Sequence, residues 1–341
     1  MRLLYHSLQI RRTMKFHTRL SLIFFIICSF ILSGCTRNQE PVTQTGFYFD
    51  TVIQITLYDT QDTSILDGCF ALAETYENLF SATVEGSDIW RINHSGGITV
   101  EVSEDTASLL QTALHYAGLT DGRVDPTIMP VSSLWDFGSD TTPHVPEASD
   151  IEEALKYVDY HSVILEGNTV TLTDSKAQID LGFIAKGYIA DRMKEYLAER
   201  GVQSACINLG GNVMTLGSKP DGSAYKIGIQ KPFAEEGTSD AVIEIRDTSA
   251  VTSGIYERFF YEYDVLYHHI LDTSTGYPVE NDIASVTILC PSSVDADALS
   301  TSCYCLGLKD GMALLDSMEN TEYMFLMKDG SRHVSDGFPL I

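Results

Sequence analysis

The chain has 341 residues, of which 44% are hydrophobic and 20% charged, and its formal net charge is −25. This length and composition can form one large globular domain or two small ones, and they argue against long disordered stretches. The excess of acidic residues argues against nucleic acid as a partner, because its phosphates would be repelled. Seven cysteines include no CxxC pair, so we expect neither a disulfide framework nor a structural zinc site.

The N-terminal residues have the pattern of an export signal. A basic segment without acidic residues precedes a short apolar run, Leu20 to Leu32, and the sequence Leu-Ser-Gly-Cys follows and ends at Cys35. The run is too short for a transmembrane helix, and its end resembles the lipobox of bacterial lipoproteins. We predict a signal peptide over residues 1–34 and lipidation of Cys35, which would hold the protein on the extracytoplasmic face of the cell membrane. An ordinary secretory signal or an uncleaved anchor is the alternative, and Met14 is a second candidate start.

The remaining chain is predicted to form a short flexible tether, residues 35–46, and one domain, residues 47–341. The strands occur in clusters with helices between them, which favours an α+β fold with antiparallel sheets flanked by helices. In chain order we predict a strand over 46–58, helices over 67–80, 106–118 and 150–158, a hairpin over 161–172, a helix over 184–200, strands over 204–209, 225–230, 241–245, 259–263 and 284–289, a helix over 297–306 and a strand over 322–328.

Two glycine-containing motifs are candidates for binding an anion. The segment DLGFIAKGYIAD begins a helix with Lys186 in its first turn, and both the helix start and the lysine attract anions. A capped helix with a solvated lysine is an equal alternative. The segment NLGGN, with Gly210 and Gly211, follows a strand and would let a ligand approach the backbone closely, although an ordinary tight turn explains it as well.

Two further segments carry hydroxyl and carboxylate groups. Thr252, Ser253 and Gly254 suit a phosphate contact or an ordinary turn. Asp297 and Thr301 are four residues apart on a predicted helix, so they share one face and offer the hard oxygen ligands that suit Mg²⁺. An aspartate near a helix start is more often only a partner of the helix dipole.

The segment YHHILDTSTGYP places two adjacent histidines beside a strand-like apolar pair. If they lie on a strand, His268 and His269 point to opposite faces and cannot readily bind one metal ion together. One of them is predicted to be structural, and the other to face a site as a base or a phosphate partner.

Six segments, in this order along the chain, resemble the ApbE family of FAD:protein FMN transferases over residues 47–330. They are DPTIMPVSSLWDFG, DLGFIAKGYIAD, INLGGN, VTSGIYERFF, YHHILDTSTGYP and DADALSTSCYCLG. The resemblance implies a single T-fold-like domain that binds FAD with Mg²⁺. It also implies transfer of FMN to a threonine of an exported partner flavoprotein, with release of AMP.

The resemblance also implies roles for particular residues. The metal ligands would be Asp297, Thr301 and the backbone carbonyl of Phe183, where many relatives have a smaller side chain. His269 would lie near the diphosphate, and it and Asp297 are the predicted catalytic residues. The predicted flavin-nucleotide contacts are Asp125, Asp180, Lys186, Gly210, Gly211, Thr252, Ser253, Gly254, His269 and Ile270.

The sequence departs from the family after Phe80. Relatives often carry an aromatic residue that covers the flavin there, whereas this chain has Thr83, and Phe49 is predicted to supply an apolar wall instead. A loosely covered flavin would let water compete with the acceptor. We therefore keep two alternatives, an Mg²⁺-dependent FAD pyrophosphatase that yields FMN and AMP, and a non-catalytic flavin-binding lipoprotein.

Overall fold

The computed structural model describes residues 40–137, 142–235 and 237–341. The predicted signal peptide, Cys35 and the first residues of the tether lie outside this part of the chain. Within the described ranges, every helix is too short or too polar to cross a bilayer.

The described residues contain strands and helices in mixed order. The strands are β1 (Val42–Tyr48), β2 (Thr51–Leu57), β3 (Val100–Glu101), β4 (Val163–Glu166), β5 (Thr169–Leu172), β6 (Ser204–Leu209), β7 (Asn212–Gly217), β8 (Tyr225–Gln230), β9 (Ser239–Ile245), β10 (Ser249–Gly254), β11 (Phe259–Glu262), β12 (Val265–His268), β13 (Ile283–Cys290), β14 (Glu322–Met327) and β15 (Arg332–Val334). The helices are α1 (Thr63–Phe80), α2 (Asp88–Asn93), α3 (Glu104–Leu119), α4 (Met129–Trp135), α5 (Ala148–Leu155), α6 (Ala185–Glu199) and α7 (Ser293–Leu315).

The main sheet has eight strands in the order β1-β2-β6-β7-β10-β13-β14-β15, and all neighbours run antiparallel. All eight residues of β13 are buried, so this central strand lies within the core. Helices α6 and α7 lie against each other and against the sheet. The predicted α+β fold with antiparallel sheets and flanking helices is confirmed.

The contact between α6 and α7 depends on a glycine. A Cβ atom at Gly187 would lie 2.3 Å from the Ser293 carbonyl oxygen, so any larger residue would push the helices apart. The start of α7 is held from α6 as well, because the carboxylate of Asp191 accepts hydrogen bonds of 2.9 Å from the amides of Ser293 and Val294. These contacts fix the position of the start of α7 relative to the first turns of α6.

The predictions for residues 35–58 need correction. Residues 42–46 belong to β1 and are not tether, since Val42 pairs with Leu57 and the pairing continues to Tyr48 and Thr51. The predicted single strand is a hairpin. Its turn is made by Phe49 and Asp50, each with φ of 53°, a conformation that non-glycine residues seldom adopt and that composition did not suggest.

Candidate active site

Three backbone segments meet at one end of the main sheet. The β1–β2 turn lies beside the β6–β7 turn, where Gly210 and Gly211 have φ of +60° and +92°. The Gly210 amide donates to the Val52 carbonyl at 3.1 Å, and a Cβ at Gly210 would lie only 2.0 Å from the Thr51 hydroxyl. Glycine is therefore required where the two turns touch.

The end of β10 reaches the same place. Strand β10 runs antiparallel to β7, with Val251 opposite Asn212, the first residue of β7. Residues 252–254 therefore continue past the start of β7 and lie beside the glycine turn. Within this segment, the Thr252 hydroxyl pairs with the Thr287 hydroxyl at 2.9 Å.

One face of α7 points its polar groups at this sheet end. Ser293, Asp297 and Thr301 follow at intervals of four residues and so share this face. The Gly187 amide donates to Asp297 Oδ2 at 2.8 Å, and the Ser253 and Thr301 hydroxyls are 2.9 Å apart. The structure thus brings the start of α6, the end of β10 and the predicted acidic and hydroxyl ligands of α7 together.

The carbonyl oxygen of Phe183 does not accept the hydrogen bond that a regular helix would give it. In an uninterrupted helix the Gly187 amide would donate to this carbonyl, but here it donates to Asp297. Helix α6 begins only at Ala185, and Ile184 has a non-helical φ of −144°. Among the described residues, nothing donates a hydrogen bond to the Phe183 carbonyl.

This donor set suits a hard cation. Within the described ranges, no group of three His, Cys, Asp or Glu side chains is placed to hold a metal ion. A cation at α7 would therefore depend on the Asp297 carboxylate together with carbonyl and hydroxyl oxygens. Such oxygen ligands fit Mg²⁺ and do not fit zinc.

Lys186 acts electrostatically on two of the predicted site residues. Burial raises the pKa of the Asp297 carboxyl, and the positive charge of Lys186 opposes that shift. The same lysine is among the charges that lower the pKa of His269. Lys186 is half-buried as a residue, and its Nζ lies 3.4 Å from the Gly182 carbonyl oxygen. The positive charge of Lys186 therefore acts on both the Asp297 carboxylate and the His269 ring.

The contacts of His269 define which ring nitrogen is free. The His269 amide and Nδ1 lie 3.1 and 3.2 Å from the Arg258 carbonyl oxygen, so Nδ1 carries the proton and Nε2 is left as an acceptor. Burial, followed by the nearby charges of His268, Arg258 and Lys186, lowers the pKa of His269 to about 3, although hydrogen bonding to Arg258 opposes the shift. The ring is therefore neutral at neutral pH.

His268 has the structural surroundings predicted for the other histidine. It is buried at the end of β12, its Nε2 lies 3.2 Å from the Val279 carbonyl, and its ring meets the Tyr304 ring edge-on. Ile270, which was predicted to line the nucleotide pocket, is buried in the main core.

The two other predicted aspartates are engaged within the protein. Asp125 is buried, and its carboxylate accepts hydrogen bonds from the Thr127 amide, the Thr127 hydroxyl and the Tyr160 amide at 2.7, 2.6 and 2.8 Å. Asp180 is half-buried and accepts from the Gly182 amide at 2.7 Å, which shapes the turn before α6. Both carboxylates therefore have local partners that explain their positions.

Thr83 and Phe49 differ in exposure. Thr83 is exposed just after α1, and its hydroxyl lies 3.1 Å from that of Ser81. Phe49 is half-buried against the main core, and its amide donates to the Glu77 carboxylate at 2.7 Å. The role of each beside a flavin stays a prediction.

Sequence reasoning missed a buried chain of polar side chains behind Asp297. The Ser249 and Ser293 hydroxyls are 2.9 Å apart, and Ser293 donates to Asn212 Oδ1 at 2.9 Å. Asn212 closes the quoted NLGGN motif, and Ser293 lies one helical turn before Asp297. In the sequence, only the four-residue spacing of Ser293 and Asp297 indicated that Ser293 lies near the site.

Solved structures of ApbE proteins have this fold. The ApbE protein of Thermotoga maritima superposes with a TM-score of 0.79 at 32% identity, covering 87% of this chain and 97% of that one. The flavin transferase ApbE of Vibrio cholerae gives 0.78 at 27% identity, with coverages of 87% and 97%. Fold and site together define a protein of the flavin-transferase class.

The sequence comparisons identify the family. The ApbE family model matches residues 49–325, so the chain belongs to the ApbE family. A relative from Treponema pallidum is 31% identical over 339 residues, covering 94% of this chain and 93% of the relative. One from Klebsiella pneumoniae is 37% identical over 280 residues, covering 81% and 86%. Both are named FAD:protein FMN transferase, which confirms the predicted family and enzyme class.

Proposed function

We propose that this protein transfers FMN from FAD to a threonine side chain of an exported acceptor protein and releases AMP. The observation that carries the proposal is the arrangement around Asp297. The carboxylate is only 4% exposed, it takes the amide that would otherwise bond the Phe183 carbonyl, and it lies on the same helix face as Thr301. The names of the relatives support flavin transfer as the activity.

In this proposal, Phe183, Asp297 and Thr301 hold Mg²⁺. The ion, when bound, supplies positive charge against the FAD diphosphate, where negative charge develops during the reaction. Lys186 supplies a second positive charge from the first turn of α6. The backbone at residues 210–211 and 252–254 lets the nucleotide come close to the sheet end.

His269 is proposed to accept the proton from the threonine hydroxyl of the acceptor protein. Its Nδ1–H is held by the Arg258 carbonyl, so Nε2 can take the proton of the threonine hydroxyl. The proton moves as the threonine oxygen forms its bond to the FMN phosphorus, because only then is the attacking oxygen acidic enough for this weakly basic ring. The bond from that phosphorus to the bridging oxygen breaks, and AMP leaves with the electron pair.

Hydrolysis of FAD is the second candidate function. Thr83 is exposed. The family resemblance implies an aromatic cover over the flavin at this position, and without that cover water would reach the flavin side of the site. Water would then replace the threonine hydroxyl, and the products would be FMN and AMP. The same cation and histidine would serve either reaction.

The proposed location is the extracytoplasmic face of the membrane, through lipid on Cys35. Support comes from the basic segment, the short apolar run and the Leu-Ser-Gly-Cys sequence. Replacing Cys35→Ser should move the protein from the membrane fraction to the soluble fraction of the producing cells. Unchanged membrane association in that variant would refute the lipid anchor.

The function is tested by incubating the protein with FAD, Mg²⁺ and an acceptor protein that the Vibrio cholerae flavin transferase labels. Flavin fluorescence on the acceptor band of a denaturing gel supports transfer, and EDTA should abolish it. Release of FMN and AMP without a labelled band would show hydrolysis instead. Retention of intact FAD without turnover would show a flavin-binding protein and refute the proposal.

A further inference from the structure

Asn212 is a buried side chain with one end satisfied and the other end open. It is the first residue of β7, directly after the glycine turn, and is 1% exposed. Its Oδ1 accepts a hydrogen bond from the Ser293 hydroxyl at 2.9 Å. Its Nδ2 has no hydrogen-bond partner in the described part of the chain. A buried amide donor without a partner is costly, so it requires an explanation.

The hydroxyl chain behind Asn212 decides which end of the amide faces the site. Ser249 and Ser293 are fully buried, and their hydroxyls are 2.9 Å apart. The Ser293 hydroxyl donates to Asn212 Oδ1, while the Ser249 hydroxyl has both Ser293 and the Val213 carbonyl, at 3.2 Å, as acceptors. The reverse orientation would turn the amide oxygen toward the Asp297 carboxylate, where the two oxygens would repel each other. The NH₂ group is consequently turned away from Ser293.

The position of Ser293 indicates what the NH₂ group meets. Ser293 and Asp297 are one turn apart on the same face of α7, so a side chain bonded to Ser293 lies beside Asp297. Asn212 comes close enough to lower the pKa of the Asp297 carboxyl without completing a hydrogen bond. The Gly187 amide already holds Asp297 Oδ2, and the Asn212 amide is the further donor beside this carboxylate.

We propose that Asn212 is a positioning residue that orients the Asp297 carboxylate for its divalent cation. The Gly187 amide and the Asn212 NH₂ group would together fix the rotation of the carboxylate, so that its remaining lone pairs face the cation. This inference rests on the proposed function, because it gives Asp297 a cation to bind. It gives Asn212, the residue directly after the glycine turn, a role besides that of the glycines, which let a ligand come close to the backbone.

The test measures binding of Mn²⁺, as a probe for Mg²⁺, by electron paramagnetic resonance on the full domain. We expect Asn212→Ala to weaken Mn²⁺ binding at least tenfold and to leave FAD affinity, measured by flavin fluorescence in EDTA, within twofold. Ser293→Ala should weaken Mn²⁺ binding by a smaller factor, because it frees the amide to turn. A purely structural role for Asn212 would lower the thermal midpoint without this selective loss of cation affinity.

Asn281 supplies the matched control. Its amide donates to the Tyr304 carbonyl and its oxygen accepts from the Ile283 amide, both at 2.9 Å, so both ends are satisfied. Asn281→Ala should lower the thermal midpoint and leave Mn²⁺ affinity unchanged. Wild-type Mn²⁺ affinity in folded Asn212→Ala would overturn the positioning role alone. If Asn212→Ala does not fold, unchanged affinity in Ser293→Ala would overturn it. Absence of Mn²⁺ binding in the wild type would overturn the cation assignment itself.

Discussion

Two buried carboxylates, Asp125 and Asp297, lie in regions that are built in opposite ways. They are 6% and 4% exposed, and burial raises the pKa of both. Asp125 accepts hydrogen bonds from two amides and a hydroxyl. Asp297 accepts one hydrogen bond, from the Gly187 amide. Beside it, the Asn212 NH₂ group and the Phe183 carbonyl lack partners among the described residues.

The difference separates a buried carboxylate with complete hydrogen bonding from one with incomplete hydrogen bonding. A satisfied carboxylate fixes its neighbours and needs nothing more, as Asp125 does for the chain at Tyr160. An incompletely satisfied one costs free energy in the folded protein until a ligand completes its contacts. Burial and the direction of the pKa shift are the same for both residues. They differ in the number of hydrogen-bond partners and in the charge beside them, which is Lys186 for Asp297 and Asp159 for Asp125.

The largest effect should come from removing the charge of Asp297. Asp297→Asn keeps the shape of the side chain but loses an anionic cation ligand, so we expect FMN transfer to slow by on the order of 10²–10³-fold. The free energy of unfolding should stay equal or rise, because an incompletely paired buried charge is removed. Initial transfer rates and urea unfolding measure both quantities, and transfer within twofold of wild type would contradict the cation site.

Replacing the proposed base should have the next largest effect. His269→Gln removes the free Nε2 acceptor, so transfer should slow by about 10²-fold, the lower end of the range for general base catalysis. FAD affinity, measured by flavin fluorescence, should change little, since binding does not need the proton transfer. A loss of FAD affinity as large as the loss of rate would instead make His269 a phosphate contact.

Asp125→Asn should affect stability far more than chemistry. The amide cannot accept all three hydrogen bonds as well as the carboxylate, so we expect a loss of about 1–3 kcal/mol in the free energy of unfolding. FAD affinity and the transfer rate of the folded variant should remain within about twofold of wild type. A selective loss of FAD affinity would reverse this reading and support the family-based prediction that Asp125 lies beside the nucleotide.

Much of this arrangement was predictable because local sequence carries it. Strands β6 and β8 have the predicted bounds, and α6 ends before Gly201 as expected. Strands β7 and β10 were missed, because each follows or contains residues that were interpreted as loop motifs. The resemblance implied that Asp297 lies near the Phe183 carbonyl, but the contact of Asp297 with Gly187, 110 positions away, was not predicted.

The hydrogen-bond chain from Ser249 through Ser293 to Asn212 shows where sequence reasoning ends. It joins β10, α7 and β7, and serine and asparagine are common in turns, so none of the three stands out in composition. Its significance depends on complete burial and on one amide group left without a partner, which are properties of the packed structure.

The smallest expected effect extends the comparison from acids to the neighbouring histidines. Burial, together with the charge of Lys328, lowers the pKa of His268 to about 4, although the bond to Val279 opposes the shift. Between this value and the ordinary value near 6.5, the unfolded chain binds a proton that the folded protein does not. Stability should therefore be full above pH 6.5 and fall as the pH drops toward 4, by about 2 kcal/mol at pH 5. His268→Gln should remove this part of the pH dependence, measured as urea unfolding at pH 5 and 7.5. His269 stays in both proteins, and loss of the His268 charge can only weaken the lowering of the His269 pKa, which reduces the pH dependence further. Identical pH dependence would therefore mean that His268 is not held neutral by its surroundings.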